Sequence, residues 1–126
     1  MTAPYDAFYE GVVEAMLYAE TDDRGQPLDA HYTEADLSDL ARCTLLNECS
    51  RFLSAARSHS PSPLPEGTDL QQAGHDFWFT RQGHGTGFWD KEHVYGEAEA
   101  ALLCTMSKCF GECWPGVGDD GKIYLN

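Results

Sequence analysis

Gly74-His75-Asp76-Phe77-Trp78-Phe79-Thr80-Arg81-Gln82-Gly83-His84-Gly85-Thr86-Gly87-Phe88-Trp89-Asp90 sets large apolar side chains beside a cluster of glycines. Two of the three tryptophans and three of the six phenylalanines fall here, so the segment needs burial. Its glycines exchange side-chain packing for backbone freedom. Asp76–Arg81 reads as a β-strand, because Phe77, Trp78 and Phe79 leave no polar face, as in a strand covered on both sides. Residues 82–87 then form the connection and Phe88-Trp89-Asp90 the returning strand of a hairpin over 76–90. Strand neighbours point to opposite faces. Asp76 would therefore face with Trp78, Thr80 and Gln82, and His75 with Phe77, Phe79 and Arg81.

Working outward, apolar residues at helical spacing (Phe8, Val12, Ala15 and Met16) predict a first helix from about Tyr5 to Tyr18. The run 21–27, with its Asp, Gly and Pro residues, ends it in a turn. A second helix starts after Tyr32, with Thr33 as N-cap and Asp36 completing a capping-box arrangement, and reaches about Ala56. Residues 57–67, with prolines at 61, 63 and 65, form a loop, and 69–73 a turn of helix that Gly74 ends. A loop at 91–95 leads to a third helix from Gly96-Glu97 to about Phe110, broken at Trp114-Pro115-Gly116. Asp119-Asp120-Gly121 turns the chain into a final strand, 122–125. The expected fold is one α+β domain over 1–126, with about three helices on a small antiparallel sheet made from the 76–90 hairpin and the C-terminal strand.

Charge narrows the function. Eight basic residues against 21 acidic ones give a net charge of −13. Such a chain repels phosphate backbones and anionic membranes, and direct nucleic-acid binding needs the Lys and Arg it lacks. The partner that fits is a protein with a basic surface. Residues 1–6 show neither a basic n-region nor an apolar h-region, and no window approaches a membrane span. A cytoplasmic setting follows, where thiols stay reduced. The five cysteines lack zinc-ribbon spacing, and they read as small hydrophobes, although Cys109 and Cys113 would share a helix face and could help hold a metal. The sequence assigns no cofactor and leaves the oligomeric state open.

Two constellations could carry chemistry. His75, Asp76, Arg81, His84 and Asp90 form a candidate ligand site. If His84 folds back towards His75 or Arg81, a His pair with an Asp would suit metal binding or acid–base work. The plainer reading is that His75 caps a helix end and Asp76 pairs with Arg81 or accepts backbone N–H groups in a tight loop. The Gly83–Gly87 segment could form an anion nest of backbone N–H groups, or simply supply positive φ to a turn. The second constellation is acidic. Glu10, Glu14, Glu20, Asp22 and Asp23 lie in or just after the first helix, and Asp36 and Asp39 lie on the second, with further acids around the third. Rows of carboxylates on solvent faces can imitate the phosphate ladder of a duplex, and they can also be plain solvated faces.

The string AGHDFWFTRQGHGTGFWD at 73–90, followed by GDDGKIY at 118–124, resembles an uncharacterised family of small proteins encoded by bacteriophages and prophages. NECSRFL at 47–53 is weakly similar to the same family. The resemblance implies a phage origin and a small α+β domain, and no catalytic residue is carried over with it. Joined to the charge, it leads to the expectation of an acidic phage accessory protein. That protein would bind and inhibit a host protein, such as a nucleic-acid-processing complex or a CRISPR or restriction defence complex, through a DNA-mimic-like surface. The alternative is a small-molecule or metal-binding protein, hydrolysis included, that uses the 75–90 motif.

Overall fold

The first helix, α1 (Pro4–Ala19), turns Phe8, Val12, Ala15 and Met16 inward and leaves Asp6, Glu10, Glu14 and Tyr18 exposed at steps of four residues. These belong to a computed structural model that describes residues 4–59, 62–65, 67–84 and 86–125. Expectations that rest on residues 1–3, on Pro61 or on Gly85 lie outside the described residues.

After α1 the chain reverses in a turn closed by Asp22, whose Oδ1 accepts N–H groups from Arg24 and Gln26 at 2.9 and 3.0 Å. A 3-10 turn, Leu28–Ala30, then sends Leu28 into the core. The capping arrangement at Thr33 exists, with Asp36 Oδ2 accepting the Thr33 N–H at 2.8 Å. What it caps is a single 3-10 turn, Glu34–Asp36. Leu37 leaves helical geometry at ψ 137°. Ser38 Oγ then accepts the Ala41 N–H at 3.1 Å and starts α2 (Asp39–Ser58). The second helix therefore begins at Asp39, because Leu37 is drawn aside to bridge Ile123.

The hairpin over 76–90 does not form. Residues 70–81 are a helix, α3 (Leu70–Arg81), started by Asp69, whose Oδ1 accepts the Gln71 and Gln72 N–H groups at 3.0 and 3.2 Å. The helix is sandwiched. It buries Ala73, Gly74, Asp76, Phe77, Trp78, Thr80 and Arg81, leaving only a narrow open stripe that includes His75 and Phe79. A helix covered on most sides has no clean 3.6-residue pattern, so contiguous aromatics imitate a doubly covered strand. Gly74 is where α3 crosses α1, not where it stops. A Cβ on Gly74 would overlap the Phe8 carbonyl oxygen and one on Gly11 would overlap the Gln71 carbonyl oxygen, so the two backbones touch.

Phe88–Asp90 is a 3-10 turn and not a returning strand. Thr80 Oγ1 accepts the Phe88 N–H at 3.0 Å, and Asp90 Oδ1 accepts the Gly87 N–H at 3.1 Å, which pins the segment to α3. A short α4 (Glu92–Tyr95) leads into α5 (Glu97–Lys108). The strands β1 (Pro115–Val117) and β2 (Ile123–Leu125) pair antiparallel, Gly116 opposite Tyr124, around the turn at 119–121. The expectation of about three helices on a sheet that includes 76–90 is thus corrected. The described residues hold five helices, and their sheet is a two-stranded ribbon. The balance within α+β is strongly helical, and among the described residues no helix is long and apolar enough to cross a membrane.

Phe52 of α2 sits at the centre of the core. Its ring stacks on Phe8 of α1 at 5.3 Å, meets Phe77 of α3 at 4.7 Å and stacks on Phe88 at 6.0 Å. Aromatic pairs in such offset or tilted contact add about 0.5–1.5 kcal/mol each beyond their burial. Phe110 lies 6.3 Å away on another side, so the motif that opens the sequence reading supplies two of the four rings around Phe52.

Candidate functional site

Three polar hubs lie along the buried flanks of α3, two on the helix itself and one packed against it. Asp76 is fully buried. Its Oδ1 accepts bonds from Lys91 Nζ at 2.8 Å and Gln72 Nε2 at 3.2 Å, and its Oδ2 from Tyr95 OH at 2.7 Å. Burial, followed by the bond to Asp76, pushes the Tyr95 hydroxyl above its ordinary range, so it stays a donor. Arg81 is 4% exposed and donates to both oxygens of Glu48, at 2.8 and 3.2 Å. Two further donors reach the carbonyls of Gly111 (2.8 Å) and Phe110 (3.1 Å), and its guanidinium carbon lies 5.5 Å from the Phe77 ring centroid.

The third hub is Glu20. Only 6% exposed, it accepts from Trp78 Nε1 at 2.9 Å and is bonded to His84 Nε2 at 3.3 Å. Gln82, beside it, exchanges two bonds with the backbone of Cys113, at 2.6 and 2.7 Å. Burial raises the thiol of Cys113, and pushes that of Cys49 up to about 12, so neither is a thiolate nucleophile near neutral pH.

The five residues of the candidate ligand site are therefore dispersed. Asp76 faces Lys91 and Tyr95, Arg81 faces Glu48, His84 reaches Glu20, and Asp90 closes the 87–90 turn. His75 stands on the open stripe of α3, with Nε2 3.0 Å from Glu14 Oε1. Nothing brings the two histidines to one point. Among the described residues no group of three or more His, Cys, Asp or Glu is placed to hold a metal ion, Cys109 and Cys113 included.

The acidic set divides as well. Glu20 is withdrawn into the core, so its expected place on a binding surface is corrected: the Trp78 indole needs an acceptor there. Asp22 and Asp36 are half-buried and hold turns, and backbone N–H groups keep the Asp22 carboxyl below its ordinary range. Glu10 and Asp23 stand in solvent, and so does Asp39, 3.5 Å from Arg42. Asp6 and Asp29 add to the exposed set without having been singled out in the sequence.

Next to the row on α1 lies an open groove of about 600 Å³, walled by Leu17, Tyr18 and Phe79 and edged by Glu14, His75 and Asp29. Glu14 Oε1 takes both nearby bonds, from Gln71 and His75, and these hold the carboxyl below its ordinary range. Sequence reading missed Tyr18, Phe79 and Asp29. The signal for Tyr18 was available, since it continues the 6, 10, 14 spacing. Asp29 lies across a turn, and nothing local ties it to α1. No family model, curated protein or solved structure matches the chain.

Proposed function

We propose that this protein acts by binding another protein through an acidic face centred on α1, and that the partner presents a basic surface. The observation that carries this reading is how charge is partitioned. Three of the eight basic residues are turned to internal work: Arg81 on Glu48, Lys91 on Asp76, and Arg42 on Glu34. Thirteen carboxylate residues are exposed among the described residues, against five Lys and Arg. On α1 the row Asp6, Glu10, Glu14 carries no intervening cation, although like charges four apart on a helix cost about 0.2–0.5 kcal/mol per pair. Such a face steers basic partners and repels phosphate. The sequence resemblance to small phage proteins makes a host nucleic-acid-processing or defence complex the partner class, with the carboxylates standing where phosphates would bind.

The test is affinity capture from a bacterial lysate at low ionic strength, with identification of what is retained. A basic nucleic-acid-handling protein that elutes between about 50 and 300 mM salt, and is not retained by an Asp6→Asn, Glu10→Gln, Asp23→Asn variant, is the expected result. Salt-insensitive capture, or equal capture by the variant, would overturn the reading.

A further inference from the structure

The groove beside the α1 row has a chemistry more specific than charge. Its wall is apolar and aromatic: Leu17 and Phe79 line it, and Tyr18 stands at its rim with 70% of its surface in solvent. The Phe79 ring is held in place by a T-shaped contact with His84 at 5.8 Å. At its edge stand two carboxylates with capacity to spare. Glu14 receives its two bonds on Oε1, which leaves Oε2 to accept, and Asp29 has no hydrogen bond or ion pair among the described residues.

A trough with a flat aromatic side and open acceptors at the edge suits an amphipathic cation. Its methylene stem lies on Leu17, its head meets the carboxylates, and its face covers a ring. A guanidinium meets all three demands, because it is planar, weakly hydrated and able to donate two parallel bonds to one carboxylate. A lysine brings the stem and the charge, but its ammonium is a compact, strongly hydrated point charge with no face to cover a ring and no parallel pair of donors. The volume, about 600 Å³, exceeds a single side chain and matches a short stretch of peptide.

Resting on the acidic-face reading above, we infer that the groove formed by Glu14, Leu17, Tyr18, Asp29, His75 and Phe79 receives an arginine side chain of an arginine-bearing segment of the partner protein. It is the anchor of the interface, and the rest of the acidic face gives long-range steering.

The defining probe is a capped Arg-Arg dipeptide, compared with capped Lys-Lys and citrulline-citrulline dipeptides, titrated into isotope-labelled protein. The expected result is a set of amide shifts confined to residues 14–18, 28–30 and 71–79. Arg-Arg binds at least threefold more tightly than Lys-Lys, and the citrulline peptide does not bind. Asp29→Asn and Tyr18→Ala each weaken Arg-Arg by roughly tenfold, while Glu112→Gln, in the cleft near Arg81, leaves it unchanged. Both groove substitutions are at exposed positions, and an unchanged melting temperature separates binding loss from unfolding. Shifts spread over the whole acidic surface, or equal binding of Arg-Arg and Lys-Lys, would overturn the inference. So would salt-dependent capture of the basic partner at full strength by Asp29→Asn and Tyr18→Ala, and that result would leave the acidic-face reading standing. Groove binding of Arg-Arg with no protein captured would do the reverse.

Discussion

Asp76 and Arg81 on the buried flanks of α3 are enclosed by partners that use nearly every polar atom they have. His75, one residue before Asp76, stands on the stripe between these flanks and meets a single carboxylate at the edge of an open groove. All three look like site residues when written in a line. In space the first two are structural, because saturated buried charges have nothing left to offer a ligand, and a carboxylate with one oxygen free does. The comparison separates charge that holds a fold from charge that is available.

Removing a sealed partner gives the largest effect. Arg81→Ala strands Glu48 and two carbonyls in a mostly buried setting and should cost about 3–5 kcal/mol in chemical denaturation. A loss under 1 kcal/mol would show that this flank does not hold the fold. Gly74→Ala should destabilise by about 1–3 kcal/mol through overpacking against α1, despite the ~1 kcal/mol that alanine gains in helix propensity. A neutral or stabilising result would mean that the α1–α3 crossing gives way easily.

Glu34 sharpens the comparison from the pH side. The bond from Arg42, then that from Tyr9, lowers its carboxyl below the ordinary 4.5. A carboxyl lowered in the folded state contributes in full above its unfolded value of about 4.5, and the contribution is lost as pH falls from there through the folded value. Glu34→Gln should therefore destabilise clearly at pH 6, and the gap from the parent should close towards pH 3. A constant gap would remove the ionic explanation. The smallest effect belongs to the open stripe: His75→Ala should change stability by no more than about 0.5 kcal/mol. A larger loss would move His75 to the structural side.

Legibility followed the same division. α1, α5 and the C-terminal strand could be read from sequence because each has one covered face, and there periodicity and burial agree. Thr33 and Asp36 pair as their spacing predicts, but the helix waits until Ser38 because Leu37 is taken by Ile123, a partner far along the chain. α3 reads as a strand because helices and loops cover it on most sides, and a residue hidden regardless of its angle erases the pattern that reveals angle. Glu20 could not be distinguished from Glu14 or Glu10 until Trp78 arrived beside it from across the molecule. The groove's acid at Asp29 was silent for a similar reason, since its neighbours come from other parts of the chain.

The crossing of α1 over α3 sets a demand on the order of events. Its tightest point joins residue 11 to residue 74, with backbone against backbone and no side chain between them to tolerate a slip. A helical protein whose neighbours in space were neighbours in sequence would assemble through local closures. Here the best-fitted seam closes only after the whole of α2 has been brought round. Folding should thus run at the pace of a mixed, high-contact-order domain, slower than its helix content alone suggests.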